Sequence, residues 1–190
     1  MLRDAPVKTE LTFDEYLEFE SLSLERHEFV DGNLFVLLGG TLRHNFVKDE
    51  LHSLWRTAAR AVGCRSFTGD VINRTPNDKG YYPDLFVVCE QVTGAARVMT
   101  KPCILVEVLS KTTEIVDRGE KWQHYQTIPT LEHYVLLNQN QAIAEVFSRQ
   151  NDGSWRYQKY VGNDVIHFPS IKFDLSLEEL YADLPEDTEL

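Results

Sequence analysis

Apolar residues recur along the chain with two periods, and the switches between them mark its elements. From His44 to Val62 they fall at Phe46, Val47, Leu51, Leu54, Trp55, Ala58 and Val62, the spacing of one helical face. Gly63 then ends the run. Upstream, TFDEYLEFESL predicts a short helix, with Thr12 and Glu15 placed as a capping box. HEFVDGNLFVLL reads as two strands around Asp31-Gly32, a strong hairpin signal. CRSFTGDVIN, PDLFVVC and PCILVEVL are three expected strands, followed by a helix over roughly 118 to 127 that Pro129 closes. EHYVLLN, AIAEVFSR and WRYQKYV are further strands, the last two joined by an Asn-Asp-Gly turn. This order predicts an α/β or α+β fold with a mixed sheet rather than a βαβ repeat. One domain is expected over 1–190: a helix and hairpin arm at 10–40, a core at 44–180 and an acidic tail from 183.

Two carboxylates interrupt this apolar pattern. Asp84 follows Pro83 at the mouth of a strand, and Glu107 sits inside ILVEVL. Burying either is costly unless a cation or a mechanism offsets the cost. If the two runs form an antiparallel hairpin that pairs position 84 with 107, the turn centres between 95 and 96, in VTGAARV. Asp84 and Glu107 then lie at the same end of adjacent strands, close enough to share one cation. Two carboxylates with waters and a phosphate suit Mg²⁺, which can activate a water against a phosphoryl group.

In DRGEKWQHY, Lys121 and Tyr125 project from one helical face, and a lysine there can steady charge on a phosphate. Asp117 with Glu120 reads as a cap at the start of that helix, which favours an N-cap over a metal ligand. Glu28 in the first strand and His44 at the start of the long helix are further candidates for the site. His52 and His124 read as surface or packing residues, and Trp55, Trp122, Tyr134 and Trp155 as core.

Composition narrows the picture further. The 190 residues are 43% hydrophobic and 26% charged, with 30 acidic against 19 basic residues and a net charge of −11. That balance argues against a protein that coats nucleic acid or anionic membrane, while leaving room for a local metal site. No run is apolar enough to span a membrane and the N-terminus lacks the apolar core of a secretory signal, so a cytoplasmic location is expected. Cys64, Cys89 and Cys103 lack metal-site spacing and read as buried free thiols. EDTEL reads as a solvated tail.

RHEFVDGNL, LRHNFV, YYPDLFVV, ILVEVLS, DRGEKWQHY and IPTLEHYVLLN, in this order and at this spacing, resemble the Uma-type restriction endonucleases of the PD-(D/E)XK nuclease superfamily. The resemblance runs from about residue 10 to 180, and the six motifs together are specific where any one alone is weak. It implies a restriction-endonuclease-like core with a central mixed sheet, Mg²⁺-dependent phosphodiester cleavage with Mn²⁺ as a substitute ion, and DNA as the expected substrate. It also implies a homodimer, since cutting both strands needs two sites. Asp84 and Glu107 would hold the metal. The superfamily lysine belongs two residues after Glu107, where this chain has Leu109. The Uma-type branch supplies it from the next helix, which maps onto Lys121. Where the family reads S-P-S-T, this chain has Ser110-Lys111-Thr112-Thr113, which makes Lys111 a rival provided the strand continues past Ser110. A silent binding or assembly module on the same fold is the alternative. A two-carboxylate glycosidase ranks last because it leaves Lys121 unexplained.

Overall fold

The computed structural model describes Arg3 and residues 5–185; EDTEL lies outside them. Helix α1 (Phe13–Leu22) forms as its capping box dictates, with the Thr12 side chain accepting from the Glu15 amide and the Glu15 carboxylate from the Thr12 amide. Phe13 and Tyr16 pack with Phe29 and Leu34 of a hairpin made of β1 (His27–Val30) and β2 (Asn33–Val36). Its turn residues Asp31 and Gly32 take φ of 49° and 81°, the conformation a two-residue hairpin turn needs. Helix α2 (Leu42–Ala61) starts two residues before His44, because Thr41 supplies the cap, accepting from the His44 amide. It buries Val47, Leu51, Trp55 and Ala59.

CRSFTGDVIN is two strands rather than one. β3 (Arg65–Thr68) and β4 (Ile72–Arg74) lie in different sheets, since Gly69 and Asp70 both adopt positive φ and break the extended run. After β5 (Gly80–Tyr81), β6 (Leu85–Val88) pairs antiparallel with β8 (Ile104–Leu109) through Leu85↔Val106, Phe86↔Leu105 and Val87↔Ile104. This is the register expected from the two carboxylates. Their connection is longer than a hairpin turn, however: it includes a turn at Thr93–Ala96 and β7 (Val98–Met99), which leaves to pair parallel with β4.

The second helix begins earlier than its sequence suggests. α3 (Glu114–Val116), a π-helical turn (Asp117–Lys121) and α4 (Trp122–Tyr125) run on as one helical stretch. Asp117 is therefore internal to it and not an N-cap. The stretch crosses from β8 to its parallel neighbour β9 (His133–Asn138). β10 (Ile143–Arg149) and β11 (Trp155–Val161) extend the sheet antiparallel. β12 (Val165–Phe168), β13 (Phe173–Ser176) and α5 (Leu177–Tyr181) complete the described chain.

The central sheet runs β11-β10-β9-β8-β6-β3, and a second sheet runs β2-β1-β5-β4-β7. Alternation along β8 sends Val106 and Val108 into the core beneath α2, with Trp55 and Phe168. It sends Leu105 and Leu109 to the other core, with Phe86, Tyr125 and Tyr134. Each fully buried large side chain here contributes about 1.5–3 kcal/mol.

The cysteines differ from expectation too. Cys64, just after α2, is bonded to Cys89, just after β6, and Cys103 alone is free and buried. The pairing joins positions 25 apart that the antiparallel β3–β6 ladder sets opposite one another, next to Arg65↔Val88, so no local spacing rule marks it. Among the described residues no helix is long and apolar enough to cross a membrane.

Candidate functional site

The site assembles where the second sheet, through β1, abuts the ends of β6 and β8. Asp84, one residue before β6, sends Oδ1 to within 2.9 Å of His44 Nε2 and accepts from the Val108 amide on Oδ2 at 2.7 Å. A strand end and the first turn of α2 thus fix both of its oxygens. Glu107 lies next along the β6–β8 register. Its alternation places it on the side of Leu105 and Leu109, toward the 114–125 helical stretch.

That stretch supplies the counter-cation. Lys121 Nζ stands 3.0 Å from Glu107 Oε1, 3.0 Å from Asp117 Oδ1 and 3.1 Å from Glu28 Oε1. The contact to Glu107 is an aligned hydrogen bond, whereas Asp117 Oδ1 and Glu28 Oε1 meet the ammonium at ion-pair distance without one. Tyr125, four residues on, donates to the same Glu107 Oε1 at 3.1 Å. The π-helical turn sets Asp117 and Lys121 on one side; such turns are rare and concentrate at functional sites. Behind Glu28, Arg3 places Nη1 2.8 Å from its Oε2 and Nε 2.8 Å from Glu120 Oε1. Tyr81 donates to Glu120 at 3.1 Å and lies 2.6 Å from His124 Nδ1.

Two cations among four carboxylates set the protonation of this cluster. Lys121 loses to burial but gains more from Asp117, Glu107 and Glu28, so its ammonium is held well above the ordinary lysine range. Burial pushes Glu28 up, yet Lys121 and Arg3 outweigh it and hold the carboxyl below its usual value. Burial pushes Glu107 well up against the pull of Lys121, and Asp117, Asp84 and Glu28 add to the rise. Asp117 rises from burial as well, opposed by Lys121. Burial thus favours the protonated form of both Glu107 and Asp117, a tendency that a bound divalent ion would oppose.

Asp84 and Glu107 line a cleft of about 800 Å³ together with His44, Asp117, Lys121 and Lys111. Asp84 is 20% exposed, while Glu107 and Lys121 show only 4% and 6%, so Asp84 faces the cleft and the lysine lies under its floor. The donor set fits a hard divalent ion: two carboxylates at an open cleft, with no cluster of three metal-binding side chains among the described residues. Mg²⁺ keeps several waters and takes one or two carboxylates plus a substrate phosphate.

The structure thus brings Asp84, Glu107, Lys121, Glu28, His44, Asp117 and Tyr125 together. It leaves Lys111 in the exposed turn after β8, which ends at Leu109, so Lys111 reaches the cleft from its rim and not from the face of Glu107. His52 packs at Ser66 as expected, whereas His124 joins the hydrogen-bond chain behind the cluster. Sequence offers Glu120 only as a capping partner of Asp117 and does not point to Arg3 at all, yet both join the cluster. Nothing local marks Arg3, which arrives through the pairing of the N-terminal segment with β2 at Lys8↔Leu34.

Comparison with known proteins agrees with this architecture. Residues 13–178 match the family model Uma2, described as "Putative restriction endonuclease". The uncharacterized Synechocystis proteins slr1290 and sll1609 are each 29% identical to the chain, over 176 and 170 residues, spanning 92% and 85% of it and 93% and 94% of their own lengths. A crystal structure from Anabaena variabilis, titled as a putative nuclease belonging to DUF820, superposes with a TM-score of 0.76 at 17% identity, covering 92% of this chain and 99% of that one. The two share a fold.

Proposed function

The chain belongs to the Uma2 family, and from that premise we propose that it is a metal-dependent nuclease hydrolysing phosphodiester bonds, with DNA as its substrate. The observation that carries the reading is the ammonium of Lys121 held 3.0 Å from Glu107 beneath a cleft that Asp84 also lines. A carboxylate pair beside a buried lysine is the equipment a phosphoryl-transfer site needs.

Asp84 and Glu107 would hold Mg²⁺, or Mn²⁺ in its place, and such an ion supplies polarisation of a phosphoryl oxygen and a more acidic water. His44 and the Val108 amide keep Asp84 aimed at the cleft. Lys121 and Tyr125 fix Glu107 through one oxygen, and the ammonium opposes the rise that burial imposes on that carboxyl. Lys121 also places a permanent positive charge where negative charge develops on the phosphate. Glu28 and Asp117 hold the ammonium in position, and Lys111 meets a neighbouring phosphate from the rim. A second copy of the chain would provide the second site for duplex cleavage.

The test is cleavage of labelled DNA and RNA oligonucleotides with Mg²⁺ or Mn²⁺ by the wild type, Asp84→Ala and Glu107→Ala. Each substitution is expected to lower the rate by roughly a thousandfold or more while leaving the circular dichroism spectrum unchanged. Full activity in both variants, or a wild type that cleaves neither polymer with either ion, would overturn the proposal.

A further inference from the structure

The three sulfurs gather at one place. Cys64 is bonded to Cys89, and the free thiol of Cys103 lies 3.3 Å from Cys89 Sγ. One sulfur is thus bonded to the first cysteine and touched by the other. Cys89 is exposed, whereas Cys64 and Cys103 are only 2% and 5% exposed. The backbone holds this arrangement: Arg65 pairs with Val88 in the β3–β6 ladder, and the Cys103 amide donates to the Val87 carbonyl at 2.8 Å.

We propose that Cys64, Cys89 and Cys103 form a single exchangeable disulfide centre in which Cys89 is the shared sulfur. In the internal step Cys103 gives up its proton and its sulfur bonds to Cys89 Sγ. The Cys64–Cys89 bond breaks, and its electron pair leaves on Cys64, which takes up a proton. One disulfide and one thiol stand on each side of the reaction, so no oxidant or reductant is consumed. Burial holds the Cys103 thiol up at about 12, which makes the internal attack slow. The exposed Cys89 is the point at which a small-molecule thiol enters and starts the exchange from outside.

The two linkages constrain different elements. The Cys64–Cys89 bond ties the C-terminal end of α2 to the end of β6, and the other end of the same helix sets His44 on Asp84, just before β6. A Cys89–Cys103 bond joins segments that β6 and β8 already hold together and leaves the end of α2 without a covalent tether. Exchange therefore alters the anchoring of the helix that orients Asp84. The chemistry goes beyond the nuclease reading and does not depend on it.

The full chain and its Cys64→Ser, Cys89→Ser and Cys103→Ser variants are equilibrated in a glutathione redox buffer, alkylated and mapped as non-reduced peptides, with circular dichroism as the check on folding. Cys64→Ser is expected to form the 89–103 linkage, Cys103→Ser the 64–89 linkage, and Cys89→Ser neither. A Cys64→Ser variant that stays reduced where Cys103→Ser oxidises overturns the proposal, as does a 64–103 bond in Cys89→Ser. Should a variant fail to fold, the wild type decides. Both the 64–89 and 89–103 linkages are expected after catalytic glutathione, and the 64–89 linkage alone refutes exchange. Cleavage plays no part in the readout, so failure here leaves the nuclease reading standing, and failure of that reading leaves this one.

Discussion

Lys121 does two things at once: it is a counter-charge that three buried carboxylates share, and it lines the cleft. Replacing it with Met keeps most of its volume and removes the ammonium. At pH 7 the loss of stability should be about 3–5 kcal/mol, the cost of leaving buried charge uncompensated. The pH dependence follows from the protonation of its partners. In the wild type Glu28 is held below its usual value, so its contribution is present above the ordinary carboxylate pKa and is lost as pH falls through the folded one. Glu107 and Asp117 are raised, so the fold retains their protons and their burial is tolerated better as pH falls toward their folded values. Lys121→Met removes one of the two cations that hold Glu28 down, leaving Arg3, and the gap to wild type should narrow between pH 7 and pH 5 in urea unfolding. A gap that widens on acidification would contradict this account. At this scale the sequence was informative where carboxylates broke an apolar run, as at Asp84 and Glu107. Arg3 is a single cation in a polar stretch, and only tertiary pairing reveals its contact with Glu28.

Element boundaries were harder to read than element types. The helical face of α2, the hairpin at Asp31-Gly32 and the β6–β8 register all follow from periodicity and turn chemistry. Asp117 misleads because D-x-x-E looks the same whether it caps a helix or lies within a π-helical turn with its side chain buried against Lys121. The CRSFTGDVIN run misleads because strand-like pieces flank the Gly69-Asp70 pair, whose positive φ breaks the run and sends the two pieces into different sheets. One tight element contact gives a direct prediction. A Cβ at Gly40 would stand 2.7 and 2.9 Å from the His44 ring, so Gly40→Ala must push that ring and disturb its bond to Asp84. Losing about one hydrogen bond, roughly 1.4 kcal/mol, should slow cleavage about tenfold. Thermal unfolding should barely change, because the loop is exposed. The comparison is with His44→Ala: equal defects support the contact, and a Gly40→Ala enzyme running at wild-type speed beside an impaired His44→Ala would refute it.

At the scale of the whole molecule the charge distribution decides how a polyanion can approach. A net charge of −11 repels nucleic acid from most of the surface, yet Arg26, Arg43, Lys48 and Lys111 all line the cleft that holds Asp84 and Glu107. Those four cations concentrate attraction at the cleft itself. Each neutralised phosphate contributes about 0.9 to the slope of log affinity against log salt for duplex DNA. With four rim cations the slope should not exceed about 4 in magnitude, well short of what a basic, groove-coating protein shows. Lys111→Ala should reduce it by about 1 if, as proposed, that side chain meets phosphate from the rim of the cleft it lines. Binding can be followed by fluorescence anisotropy with the Glu107→Gln variant, which retains the rim. A steeper slope would place the nucleic acid on a wider surface than the cleft, and a slope untouched by Lys111→Ala would remove that lysine from the path of the strand.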